Sequence, residues 1–187
     1  DGNWESPFNP LAVGRAYTEA TAWQYRFFVP HDVNGMIQLF GGKEEFVAAL
    51  DDIFNTDAEI HGNLVDITGL IGQYVHGNEP SHHIAYLYNY VGEPWKTQKM
   101  SRRLLNEMYH PTPEGIIGNE DCGQMSAWYI LSSMGLYSVC PGSNEYVLTT
   151  PLFEKVVVHL ANGRTLTILA NDPQKNIYIT KVELNGK

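Results

Sequence analysis

Apolar positions along the chain first fall into helical register between residues 43 and 54. There Phe46, Val47, Leu50, Ile53 and Phe54 share one side of a 3.6-residue repeat and predict an amphipathic helix. Just ahead, Asp32 is placed to cap a short helix over 33–40, which Gly41-Gly42 would end. Further helices are predicted over 82–91, with Ser81 or a neighbour as cap, and over 95–109, with Pro94 in the first turn. A last one runs over 124–134, where Ala127, Trp128, Ile130 and Leu131 are the apolar positions and Gly135 is the stop. Beyond Pro141-Gly142 the pattern changes to short β-branched runs at 156–160, 165–169, 177–179 and 182–184, parted by Asn162-Gly163 and Asn171-Asp172-Pro173. Helices first and strands last predict a mainly α chain with an antiparallel β segment behind it.

The stretches without a period are polar and glycine-rich. Residues 1–16 read as loop around Pro7 and Pro10, and residues 55–81 are mostly irregular around Gly62, Gly69, Gly72 and Gly77. The chain opens on an uncapped string and closes on Asn185-Gly186, a hairpin turn without a second strand, so a fragment of a longer protein is expected. Two loops stand apart: 77–83, Gly-Asn-Glu-Pro-Ser-His-His, and 118–124, Gly-Asn-Glu-Asp-Cys-Gly-Gln. Each crowds acids and amides against an apolar, aromatic segment. Stability gives no reason for that, because buried charge is costly unless paired or bound to a cation.

Composition narrows the chemistry. At 187 residues and 43% hydrophobic content the chain can bury a core. A net charge of -9 with no basic stripe argues against a nucleic-acid partner, and no apolar run approaches the ~20 residues of a membrane span. Cys122 and Cys140 make neither a zinc pattern nor a disulfide framework.

Three acidic centres remain, Glu19, Glu79 and the pair Glu120-Asp121, each in a loop flanked by aromatics such as Trp23, Tyr25, Tyr86 and Trp128. Aromatic faces stack on sugar rings, and two opposed carboxyl groups are the minimum for cleaving a glycosidic bond. A third acid among amide and carbonyl oxygens suits a hard cation such as calcium, which takes roughly 6–8 oxygen ligands. The same residues have plainer readings. Glu120 and Asp121 also read as acids complementing the start of the 124–134 helix, Asp32 as a cap beside His31, and His82 and His83 as packing histidines. Zinc is disfavoured, since adjacent histidines on a helix diverge and no further Cys or His joins them. Acyl transfer lacks a nucleophile-elbow serine or a cysteine near a base.

Taken in order, Glu19 with Ala22-Trp23-Gln24-Tyr25 and Val29-Pro30-His31-Asp32, then residues 77–83, then 118–129 and Gly135-Leu136-Tyr137, resemble glycoside hydrolase family 92. Those enzymes are calcium-dependent, exo-acting, inverting alpha-mannosidases with a β-sandwich before an (α/α)6-barrel catalytic domain. The resemblance implies that residues 1–142 are the C-terminal part of the barrel and 143–187 a β segment packing on it or on a missing domain. It implies Glu19 as general acid, Asp121 as general base with Glu120 as second candidate, and Gly77, Asn78, Glu79 and Asp121 around Ca2+. Trp23, His31, Asp32, His82 and His83 would line the sugar subsite. Some members have an acid where this chain has Asn119, which puts the base role on Asp121. The implied substrate is terminal alpha-1,2-linked mannose of glycans. The implied partner is the missing N-terminal part of the same protein, and the implied setting bacterial: periplasmic, secreted or on the cell surface. The alternative is a sugar-binding or structural fragment, inactive without that missing part.

Overall fold

The computed structural model describes residues 2–14, 16–62 and 65–187. The chain divides into two compact units, Asp1–His82 with Ile117–Asn119, and His83–Ile116 with Glu120–Lys187. Its architecture is mixed: helices with three small antiparallel two-stranded sheets.

In the first unit, α1 (Ala22–Tyr25) starts at a complete capping box: the Thr21 hydroxyl accepts from Trp23 N, and the Gln24 side chain accepts from Thr21 N. Helix α2 (Val33–Leu39) is capped by Asp32, whose carboxylate accepts from Gly35 N at 2.8 Å. Helix α3 (Lys43–Asn55) turns Phe46, Leu50, Ile53 and Phe54 inward, as its period predicts. Phe46 packs with Phe27 and Phe40, their ring centroids 5.1–5.7 Å apart, and Phe54 meets Tyr74 at 5.0 Å. Phe27, Phe46, Leu50 and Ile53 are fully buried, and each such side chain stabilises by about 1.5–3 kcal/mol relative to exposure. Strands β1 (Leu70–Ile71) and β2 (Tyr74–Val75) form a small hairpin, with Leu70 opposite Val75 and Ile71 opposite Tyr74.

The second unit departs from the predicted pattern at its start. Residues 84–91 form a 3-10 helix, and Ser81 does not cap it, its hydroxyl accepting instead from Val75 N. Two carbonyls of this helix, Ala85 and Tyr86, accept from the Thr97 hydroxyl and the Asn89 amide, side-chain bonds that compete with α-helical pairing. Helix α4 (Pro94–Glu107) begins at its proline, and α5 (Gln124–Met134) ends at left-handed Gly135. The core gathers Tyr86, Tyr109, Trp128 and Tyr137, with Tyr86 stacked on Tyr137 at 4.3 Å and Tyr109 on Trp128 at 5.9 Å. Short strands β3 (Leu136–Tyr137) and β4 (Val147–Leu148) pair, and β5 (Lys155–His159) and β6 (Thr165–Leu169) make the expected hairpin.

The two last β-branched runs, 177–179 and 182–184, are not strands. Side chains take their backbone groups instead: Ile177 O accepts from the Thr150 hydroxyl at 2.6 Å, and Ile179 N donates to Gln98 Oε1 at 3.0 Å. The predicted turn is present. Asn185 and Gly186 both have positive φ, and Leu184 and Lys187 exchange both backbone hydrogen bonds across them.

Candidate active site

Two side chains of the first unit decide where Glu19 lies. Gln24, fully buried, uses its oxygen to close the α1 capping box and its nitrogen to donate to the carbonyl of Gln73 in the β1–β2 turn. Gln73 in turn donates to Ala58 O at 2.9 Å, and its own N–H bonds Ile53 O at 2.7 Å. The segment just before α1 is thereby fixed to the hairpin that leads into residues 77–79. At the meeting point, Asn78 Nδ2 donates to Glu19 O at 3.0 Å and lies 3.5 Å from Glu19 Oε2. Glu19 itself is exposed and sits at φ 53°, a left-handed conformation that a glutamate seldom adopts. Thr21-x-x-Gln24 could have been read as a capping box from the sequence; its tie to Gln73 has no sequence signal.

The loop's oxygen donors suit a hard cation. Asn78 is 4% exposed, and with Nδ2 turned to Glu19 its Oδ1 is the atom left to a ligand. The same segment carries the Gly77 carbonyl and the Glu79 carboxylate, oxygen donors of the type calcium takes. Gly118 comes against this loop: a Cβ there would lie 2.5 Å from Gly77 O and 3.0 Å from Thr68 Oγ1, with φ already at +76°. Thr68 Oγ1 is buried and without a hydrogen-bond partner, and a Cβ on Gly77 would collide with it. Among the described residues no group of three His, Cys, Asp or Glu side chains is gathered for a metal ion.

The remaining predicted residues divide between roles. Trp23 stacks under the Arg26 guanidinium at 4.3 Å, and Arg26 Nη2 is anchored on Ala49 O at 2.6 Å. Burial, partly offset by Asp52, lowers the Arg26 pKa. His31 is exposed, and Asp32 is occupied in capping α2. His82 is 2% exposed, with Nε2 3.0 Å from His76 O.

In the second unit, His83 is buried, and its carbonyl accepts from Tyr86 N at 3.0 Å. Glu120 holds the start of α5: its two carboxylate oxygens accept from Ser126 N at 3.1 Å and Ser126 Oγ at 3.0 Å. Asp121 is exposed, has φ 49°, and gives its carbonyl to Gln124 N at 3.1 Å. Ser126 also lines a cavity of about 490 Å³ with Tyr109, His110 and Tyr129.

The model of the glycosyl hydrolase family 92 catalytic domain matches residues 1–187. The chain belongs to glycosyl hydrolase family 92. Among solved structures, this family 92 chain is similar to an alpha-mannosidase of the family from Bacteroides thetaiotaomicron in complex with mannoimidazole. Identity is 42%, the TM-score 0.92, and the match covers 100% of this chain and 26% of that one. It is also similar to a family 92 inverting mannosidase from the same organism, at 39% identity and TM-score 0.77, covering 91% and 24%. A curated relative, an uncharacterized secreted glycosidase of Arthroderma benhamiae, is 34% identical over 173 residues, covering 90% of this chain and 20% of the relative. The family 92 chain thus spans about a fifth to a quarter of the length of these relatives. Among its described residues no helix is long and apolar enough to cross a membrane.

Proposed function

We propose that the whole protein is an exo-acting alpha-mannosidase, cutting terminal alpha-1,2-linked mannose from glycans with inversion and with calcium. Residues 1–142 would be the C-terminal part of its (α/α)6-barrel catalytic domain and 143–187 the β segment behind it. The observation that carries the reading is the Asn78 amide. One side chain is bonded through nitrogen to the backbone of the candidate acid Glu19 and keeps its oxygen for the candidate cation loop. The 42%-identical mannosidase that binds mannoimidazole supports the sugar, and the inverting relative supports the stereochemistry. The curated relative's name supports a secreted setting.

In this reading Glu19 gives its proton to the glycosidic oxygen as the bond to the leaving group breaks. Asp121 accepts a proton from water, which attacks the anomeric carbon from the opposite face, and a single displacement inverts it. Gly77 O, Asn78 Oδ1, Glu79 and Asp121 would hold the calcium, which would supply a hard Lewis acid for orienting sugar hydroxyls. Trp23 offers a ring face to the sugar, its orientation fixed by Arg26.

The test uses the full-length protein and an alpha-1,2-linked mannobiose. Glu19→Gln is expected to lower kcat by roughly 10²–10⁴-fold, the usual worth of a general acid. A chelator should abolish turnover and calcium restore it, and NMR of the first product should show beta-mannose. Alpha-mannose as first product, or a Glu19→Gln enzyme of normal kcat, overturns the reading. The 187 residues alone, about a quarter of the solved chains, would serve as a sugar-binding piece without turnover.

A further inference from the structure

The loop that leaves β2 is closed on itself by side chains that the mechanism above does not use. His76 is fully buried, and Tyr74 Oη lies 2.9 Å from its Nδ1. The His82 ring packs against the His76 ring, centroids 5.4 Å apart, and its Nε2 is 3.0 Å from the His76 carbonyl oxygen. A carbonyl only accepts, so this nitrogen carries the proton. Gly77 N donates to Thr68 O at 3.1 Å. A single peptide group, the one joining His76 to Gly77, is therefore gripped at both ends, its C=O by His82 and its N–H by Thr68. Ser81, next to His82, holds Val75 N and closes the other side of the ring of residues.

Two imidazoles and a phenol buried together are a costly way to pack a hairpin, where apolar side chains would fill the same space without polar atoms to satisfy. Their arrangement makes sense as control of backbone direction. Fixing the peptide before Gly77 anchors the start of the segment that carries the Gly77 carbonyl and Asn78, the two oxygen donors of the loop. Outer partners that hold ligands in place are characteristic of metal sites.

We infer that His82 is a positioning residue of the cation loop: its Nε2–H clasps the His76–Gly77 peptide and presets Gly77 O and Asn78 Oδ1, without touching the sugar. The inference rests on the reading that residues 77–79 hold a cation. In the full-length protein, calcium affinity is measured by calorimetry, and kcat and KM for the mannobiose at saturating calcium. His82→Ala should weaken calcium binding about 10–100-fold, the usual cost of losing an outer partner. KM at saturating calcium should stay near wild type, because uniform substrate binding is untouched. His82→Gln, which still offers an N–H, should recover most of the affinity. Should His82→Ala fail to fold, His82→Phe fills the ring volume without the donor and takes its place beside His82→Gln. A raised KM with unchanged calcium affinity overturns the inference and makes His82 a sugar contact. Equal calcium affinity in wild type, the donor-free variant and His82→Gln also overturns it. Wild-type turnover indifferent to chelation overturns the cation reading itself, and the inference falls with it.

Discussion

Glu19 and Asp121 share an uncommon feature: both are non-glycine residues with left-handed backbone, at φ 53° and 49°. Such conformations cost of order 1–3 kcal/mol each and persist only where the surroundings impose them. At Glu19 the imposing group is visible, since Asn78 holds its carbonyl. Gly118 is the complementary case, where only the absence of a side chain is tolerated. Gly118→Ala should destabilise the protein by about 2 kcal/mol or more, combining left-handed strain with a clash on Gly77 O. Gly142→Ala, at φ +90° with nothing within 4 Å, should cost only about 1 kcal/mol. Thermal denaturation of the two variants side by side checks this, and equal losses would sink the close-approach argument. The polar runs around Gly77 and Gly118 stood out in the sequence because acids and amides there had no packing rationale, and the structure brings the two glycines close together. Thr68 was not legible, because a lone threonine in an irregular stretch carries no pattern, and only the fold brings it between two glycines.

Local signals agree with the fold at the level of elements wherever the chain makes its own bonds. Helix α3 follows its apolar period, α2 its Asp32 cap and α5 its glycine stop. Disagreement comes where side chains claim the backbone: Thr97 and Asn89 bond carbonyls of the 3-10 helix 84–91, and Thr150 and Gln98 take backbone groups of residues 177–179 that a strand would pair. The last two of these bonds join residues 27 and 81 positions apart, beyond any local window of sequence. The start of α5 distinguishes two readings of one acid. Both carboxylate oxygens of Glu120 are engaged with Ser126. Glu120→Ala should therefore lower stability by roughly 1 kcal/mol, the worth of a cap, with kcat largely kept. Asp121→Asn should instead lower kcat by about 10²–10⁴-fold while the fold is retained. Denaturation curves and initial rates for the pair separate the roles, and loss of turnover in a folded Glu120→Ala enzyme would move the base to Glu120.

Over the whole molecule, the chain changes unit between His82 and His83, between Ile116 and Ile117 and between Asn119 and Glu120, the first and last of these inside the polar loops singled out by the sequence. The second unit carries its own pH signature. Burial pushes the phenols of Tyr86, Tyr109 and Tyr137 above their usual value near 10; the Ser132 hydrogen bond opposes the shift at Tyr86, and neighbouring Tyr137 and Glu120 add to it at Tyr109. Groups held protonated in the fold but free to ionise when unfolded stabilise fully below pH 10 and progressively less above it, as the unfolded chain releases protons first. Stability should thus be insensitive to these groups below about pH 9 and fall steeply above about pH 10. Tyrosinate absorbance is the check: part of it should appear only as the protein unfolds, and a single smooth titration near pH 10 would contradict the burial argument. In the same unit Gln98, Ser101 and Arg102 lie along one side of α4 and reach Ile179 N, the Thr149 hydroxyl and Pro151 O. Two of those three grips are on main chain. A segment recognised through its main chain can change its side chains without losing its course, whereas adding or removing one residue beside Pro151 or Ile179 shifts the gripped group past its partner. At those two points this tail should accordingly be free in composition and strict in length.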